Sequence, residues 1–280
     1  MIIRTLVILA LVAAILGGSG YFAYEYFVKP KKLDVQEQKL AETAPPPPPD
    51  PSLAAFEALK PSLEQDTPEA QTALQHFLDN YPESPMSPAV RAAIGRINTS
   101  RLLSPDPSPE KTPYTVVSGD SLVKIAAKFK SGAELIYRAN RLATINLKIG
   151  QQLMIPKLDT ALVVDRAANS VTLLNAGAFV REYPVKSLKL PPAAATGSLE
   201  TKVADKVAMK GSVRAAFGTK DYEGSDRWLM LGAAGIVVRG EPAAAADGSI
   251  PPMPPGIVLD PADAEEIFVL TTRGTPVTIK

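Results

Sequence analysis

The chain contains no cysteine and a single histidine, His76. The first absence excludes a disulfide framework, a zinc–thiolate site, a cysteine nucleophile and a lipoprotein anchor. The second excludes any metal site built on two histidines. An excess of one charge sign is also missing, since 30 Lys and Arg face 29 Asp and Glu for a formal charge of +1. Recognition of a phosphate backbone requires a basic stripe, so nucleic acid is not the expected partner. Nothing in the composition implies a metal or a cofactor.

Proline is abundant instead, at 27 of 280 residues. That is too many for one compact domain and marks connectors between folded pieces. The length accommodates two small domains plus such connectors. With 46% apolar and 21% charged residues, most of the chain reads as folded rather than disordered.

The N-terminus reads as a membrane address. Arg4 precedes a nearly uncharged run over 5–24, closed by Glu25. A helix rising about 1.5 Å per residue needs roughly 20 apolar residues to cross the hydrocarbon, and this run is just long enough. Tyr21, Tyr24 and Tyr26 fall where an interfacial aromatic belt lies. The expectation is a transmembrane signal-anchor over 1–28. Lys29, Lys31 and Lys32 follow it and, by the positive-inside rule alone, oppose export of the C-terminal side. A cleaved signal peptide is the alternative, because Gly18-Ser19-Gly20 offers small residues for a cut before Tyr21.

Residues 29–51 read as a spacer, with an unbroken proline run from Pro45 to Pro49 that favours a stiff polyproline helix. Residues 52–103 read as a helical hairpin. Thr67 is an N-cap before Pro68 and Glu69, and Ala70, Ala73, Leu74, Phe77 and Leu78 follow at helical spacing. Ser87-Pro88 repeats the start signal before Val90, Ile94 and Ile97. His76 falls in this hairpin and reads as a surface or boundary residue. Residues 104–113 read as a second proline-punctuated linker.

From Tyr114 to Pro156 the pattern is strand, helix, helix, strand. Tyr114-Thr115-Val116-Val117 alternates, Gly119-Asp120 turns, and Ser121 caps a helix with Leu122, Ile125, Ala126 and Phe129 on one face. Gly132 breaks it. Leu135, Ile136 and Ala139 carry a second helix to Asn140, and Gln152-Leu153-Met154-Ile155 is the closing strand. The segments Y-T-V before G-D-S-L, L-x-x-x-N, and I-G-Q-x-L-x-I-P stand at spacings that closely resemble the LysM family. The resemblance implies a βααβ module over 114–156 that binds N-acetylglucosamine-containing glycan, chiefly peptidoglycan strands. It also implies a shallow groove formed by Gly119, Asp120, Ser121 and Leu122 facing Leu142, Thr144, Ile145, Asn146 and Leu147. An alternative for each is purely structural: Leu122 and Ile145 as core, Asp120 as a turn former.

Residues 159–280 are rich in strand signals. Strands are expected at 161–165, 171–174, 179–185, 228–231, 235–238 and 274–279, with Asn175-Ala176-Gly177 as a hairpin turn. Asp260 and Pro261 open a late helix with acids in its first turn. The opening hairpin, with its V-R-E-Y-P-V return, and the closing D-A-E-E helix before G-T-P-V-x-I resemble the L,D-transpeptidase catalytic domain. A weaker match to that family's early turn is Ala195-Thr196-Gly197-Ser198-Leu199. The family implies a cysteine nucleophile, histidines and an arginine in two motifs. In this chain Arg239 stands at the first histidine position, Pro254 at the second, Gly256 at the cysteine and Val258 at the arginine. Glycine cannot form an acyl-enzyme, and His76 lies in another segment. Ser249 has no evident base, and Pro251, Pro252, Pro254 and Pro255 lack the amide protons an oxyanion site needs. No catalytic residue is assigned.

The fold class expected is therefore multidomain α+β: membrane helix, helical hairpin, LysM module and a mostly-β transpeptidase-like domain without its catalytic residues. The resulting expectation is a non-enzymatic bacterial envelope protein, membrane-anchored, with its bulk on the periplasmic side. Arg239 is a candidate contact for a stem-peptide carboxylate, or else pairs with Glu241 or Asp226. A cell-wall enzyme is a candidate partner. Two other readings stand beside this one: a transpeptidase or hydrolase using non-standard residues, and an assembly scaffold.

Overall fold

A computed structural model describes residues 50–232, 235–242 and 253–280, together with Tyr21, Tyr24, Glu25 and Lys29. The expected membrane segment 5–24, apart from Tyr21 and Tyr24, lies outside these residues. So do Gly18-Ser19-Gly20, nearly all of the proline spacer, Ser249, Pro251 and Pro252. Among the described residues no helix is long and apolar enough to cross a membrane. Pro51–Lys280 forms one compact unit, described below.

Three helices open this unit, where the sequence suggested two. The additional helix is α1, Pro51–Leu59, followed by a 3₁₀ turn at Lys60–Glu64. Its Phe56 ring meets Phe77 edge-on at 6.0 Å, which gives a short, apolar segment a surface to bury. Next come α2, Pro68–Asn80, and α3, Ser87–Leu102. The Thr67 hydroxyl accepts from the Ala70 amide at 3.1 Å, the N-cap its sequence signalled. Leu59, Leu74, Phe77, Val90, Ile94 and Ile97 form the core between the helices. His76 is exposed.

The stretch 104–113 is tied down rather than free. Lys111 is 7% exposed, and its ammonium donates to the carbonyls of Arg101 and Ser104, both at 2.6 Å, and Asp106 at 3.1 Å. Carbonyls at a helix C-terminus have no intrahelical donor, and a cation placed there satisfies them. Strand β1 consequently starts at Lys111 and runs to Thr115, three residues before the expected Tyr114. It pairs antiparallel with β2, Gln152–Pro156, in the register Tyr114↔Leu153. Between them lie α4, Leu122–Phe129, and α5, Ala133–Ala139.

The rest of the chain builds a ten-stranded sheet. Its strands are β3 (Thr160–Asp165), β4 (Ser170–Asn175), β5 (Ala178–Pro184), β6 (Ser187–Lys189), β7 (Leu199–Lys210), β8 (Val213–Ala215), β9 (Asp226–Leu231), β10 (Val237–Gly240), β11 (Gly256–Leu259) and β12 (Pro276–Ile279). A short helix α6, Pro192–Ala195, precedes β7, and α7, Pro261–Leu270, precedes β12. The order is β5-β4-β3-β12-β7-β9-β10-β11-β6, with β8 beside β7. Among the described strands β10–β11 and β12–β3 are parallel and the other pairs antiparallel. Helix α7 packs its Ala264, Ile267, Phe268 and Leu270 into the sheet's main core. Asp260 caps it by accepting from the Ala262 amide at 3.1 Å.

The helical segment lies directly on this sheet. At Gly95 a β-carbon would stand 2.7 Å from Cγ of Arg181, so glycine permits the close approach of α3 to β5. The Asn98 side-chain amide donates to the carbonyls of Phe179 at 3.3 Å and Val180 at 3.0 Å. Arg181 then reaches α7, pairing with Glu266 at 2.9 Å and Asp263 at 3.3 Å.

Candidate glycan-binding site

The small module over 114–156 is held by Val116, Leu122, Ile125, Ala126, Ile136, Leu153 and Ile155. Ser121 caps α4, its hydroxyl accepting from the Lys124 amide at 3.3 Å. Two loops meet at one end of the module. The Val116 amide donates to Gln151 at 2.9 Å and the Gly150 amide returns to Val116 at 2.8 Å. That pairing sets the loop over 116–121 beside the loop over 141–151.

The first loop is shaped by Asp120. Its carboxylate accepts from the Val117 amide at 2.9 Å and the Tyr114 hydroxyl at 2.8 Å. The amide first, and then the hydroxyl, hold it below the usual carboxylate range. Gly119 has φ +84, the left-handed region, with open space where a side chain would stand. Lys124 donates to the Gly119 carbonyl at 2.7 Å, and the Lys128 ammonium lies 4.6 Å from the Tyr114 ring centre.

The second loop hangs from Asn140. Its amide donates to Ile136 and Met154 carbonyls, both at 2.8 Å, and its oxygen accepts from the Met154 amide at 2.7 Å. One side chain thereby ties α5 to β2 and fixes where the loop begins. Beyond it Leu142 and Leu147 are half-buried against the module core, while Thr144, Ile145 and Asn146 are exposed. The Thr144 hydroxyl accepts from the Asn146 amide at 3.2 Å.

The nine residues expected to line the groove thus divide. Gly119, Ser121, Thr144 and Asn146 are exposed on the two loops, and Leu142 and Leu147 support them from below. Leu122 is a correction: at 3% exposure it is a core residue, turned inward by the first turn of α4. The carboxylate of Asp120 is engaged in the turn itself. Ile145 is 42% exposed yet lies against Gly218 of the β domain, where a β-carbon would come 2.8 Å from its Cδ1.

The contact between the module and the sheet has no signature in the sequence. Glu134 of α5 is buried and accepts from Arg138 at 2.8 Å and from the Tyr222 hydroxyl. Arg138 also donates to Glu265 of α7. Arg227, 6% exposed, stands 3.6 Å from Glu265 and stacks 3.9 Å over the Tyr222 ring. Burial, followed by the Glu134 charge, pushes the Tyr222 hydroxyl well above its ordinary pKa. The only signals in the sequence are ordinary polar residues 88 positions apart.

On the sheet, Arg239 is 7% exposed and its Nη1 donates to the Gly240 carbonyl at 3.1 Å. Its Nε has no partner among the described residues. Burial lowers its pKa, with the charge of Asp226 opposing the shift. It is opposite Trp228 on β9 and Val258 on β11. No ion pair to Glu241 or Asp226 forms within 4.0 Å among the described residues. Gly256, at the expected nucleophile position, has its Cα packed on β10: a β-carbon there would run into the Val237 carbonyl oxygen.

Residues 114–156 match the LysM domain family. No curated protein matches the chain. Among solved structures it is similar to an L,D-transpeptidase from Mycobacterium smegmatis, with 14% identity over 48% of this chain and 64% of that one, at a TM-score of 0.31. L,D-transpeptidase 1 of Mycobacterium tuberculosis shares 17% identity over 46% of this chain and 66% of its own, at 0.29. The catalytic domain of the E. faecium L,D-transpeptidase acylated by ertapenem shares 18% over 44% of this chain and 97% of its own, at 0.29. The chain spans just under two thirds of the length of the first two.

Proposed function

We propose that this chain is a non-catalytic cell-envelope protein that holds peptidoglycan glycan on the LysM module at 114–156. The observation that carries the reading is the LysM match together with the two exposed loops at one end of the module, where Gly119, Ser121, Thr144 and Asn146 face solvent. Backbone amides and small hydroxyls at such a rim suit acetamido groups, and the aliphatic residues beneath suit a sugar face.

The absence of chemistry belongs to the same proposal. A nucleophile on β11 would need a side chain at Gly256, and the Val237 carbonyl occupies its place. The sheet domain then serves as a binding or bracing partner of the module. Arg239 is the group on it that we assign to a stem-peptide carboxylate, on the strength of its charge and its place beside β11; among the described residues its Nε is buried without an acceptor. Residues 1–28 are proposed as the membrane tether, on the strength of the uncharged run over 5–24.

The test is co-sedimentation with purified sacculi. Ser121→Trp and Asn146→Trp, both at exposed loop positions, are expected to lower retention of the full chain. Unchanged retention in both overturns the groove. Incubation of the same protein with muropeptides tests the other half, since any new cross-link or released fragment overturns the non-catalytic reading.

A further inference from the structure

A cavity of about 690 Å³ opens where the module meets the β domain. One wall is α5 and the second glycan loop, with Tyr137, Thr144 and Ile145; the other is the β8–β9 connection, with Phe217, Thr219 and Tyr222. We propose that this cleft is a second saccharide subsite, built jointly by the module and the β domain, which takes the continuation of a neutral amino-sugar chain whose first units lie on the LysM loops. The inference rests on the glycan-binding reading above.

Three features support a saccharide. The volume falls in the range of small-molecule sites, roughly 300–1,000 Å³. Three aromatic rings line it in an edge-to-face series, Tyr137 to Phe217 at 5.7 Å and Phe217 to Tyr222 at 5.4 Å. Tyr137 and Phe217, both half-buried, present apolar surface to the C–H face of a pyranose at little loss of side-chain freedom, and the buried Tyr222, covered by Arg227, holds Phe217 in place from behind. The charges around them balance: Glu134, Glu223 and Glu265 against Arg138, Lys220 and Arg227. Four of the six are consumed in the Glu134–Arg138–Glu265–Arg227 network. A site with aromatic walls and no net charge selects an uncharged, polyhydroxylated ligand over an anion or a cation.

Continuity supplies the connection to the groove. Thr144 and Ile145 line the cavity and also belong to the second loop, which the pairing of Val116 with Gly150 and Gln151 sets beside the loop that carries Gly119 and Ser121. The β domain reaches this loop because Gly218, with φ +87 and no side chain, rests on Ile145. A glycan leaving the module past Thr144 therefore enters a space whose far wall is Phe217 and Thr219.

The experiment is calorimetric titration of the full chain with N-acetylglucosamine trimer and hexamer. Wild type is expected to bind the hexamer about ten-fold more tightly than the trimer. Thr219→Trp, an exposed position that fills the cleft, and Phe217→Leu, which keeps an apolar side chain but removes the ring, should each bring the two affinities to within about two-fold while leaving trimer binding unchanged. Ser121→Trp should weaken both. A hexamer preference that survives Thr219→Trp and Phe217→Leu overturns the second subsite and leaves the LysM reading standing, as does a wild type that binds trimer and hexamer equally. A wild type that binds neither oligomer overturns both.

Discussion

A β-carbon on Gly256 would run into the carbonyl oxygen of Val237. The two residues face each other across the parallel pair β10–β11. Neither the side chain nor a rotamer change relieves the overlap, because the obstacle is backbone.

Gly256→Cys is therefore expected to be destabilising by roughly 4 kcal/mol or more, or to prevent folding, and not to create transpeptidase activity. Urea denaturation and muropeptide analysis check the two parts. A stably folded Gly256→Cys protein would show that the strand pair yields, and an active one would remove the main argument for a non-catalytic domain.

Removing the Tyr222 hydroxyl leaves Glu134 short of one donor at a buried site. Tyr222→Phe should lose about 1–3 kcal/mol, and the LysM module and sheet should still unfold together in wild type. Differential scanning calorimetry reads both. Two well-separated transitions in the wild-type protein would contradict a shared unit.

Lys206 supplies a pH signature. Its ammonium donates to the Thr271 carbonyl at 2.6 Å and lies 4.4 Å from the Phe268 ring. Burial lowers its pKa to about 8 from 10.5. Between those values the unfolded chain still holds the proton that the folded chain has released. Stability contributed by this residue thus rises with pH across the window, by up to about 3 kcal/mol, and is lowest below 8. Unfolding measured near pH 8 and pH 10.5 in wild type and Lys206→Met should show wild type gaining on the variant; a constant gap would remove the assignment.

Asn140 bridges α5 to β2 through three hydrogen bonds. Asn140→Ala is expected to destabilise by about 2 kcal/mol and to loosen the loop over 141–151. Amide exchange in the loop over 141–151 should rise relative to α7. Equal exchange in both proteins would mean that the loop is positioned by other contacts.

Local signals in the sequence carried well. Thr67, Ser121 and Asp260 each accept the backbone hydrogen bond their N-cap positions imply. The hairpin turn at Asn175-Ala176-Gly177 has Ala176 and Gly177 at positive φ, as a two-residue hairpin loop demands. Strand β7 was not legible. Its sequence, LETKVADKVAMK, exposes Glu200, Lys202 and Lys210, half-buries Asp205 and Lys206, and breaks its alternation at a bulge between Val203 and Asp205. A strand whose partners lie on both sides is decided by those partners rather than by its own pattern. The cleft was invisible for the same reason on a larger scale. Phe217 and Tyr222 share one connection of the β domain, but Tyr137 joins them only when the module docks, and no spacing rule links it to residues so much further along the chain.

The contact of α3 with β5 has a consequence for how the protein behaves in crowded company. Strand β5 ends the sheet order, and Asn98 occupies two of its carbonyls while Gly95 lets the helix sit close. The opposite end is the three-residue β6. An uncovered terminal strand is a template for another chain. The helical segment removes that template at β5, and a fragment beginning after residue 103 is expected to form oligomers or fibrils more readily than the longer chain, as light scattering would read.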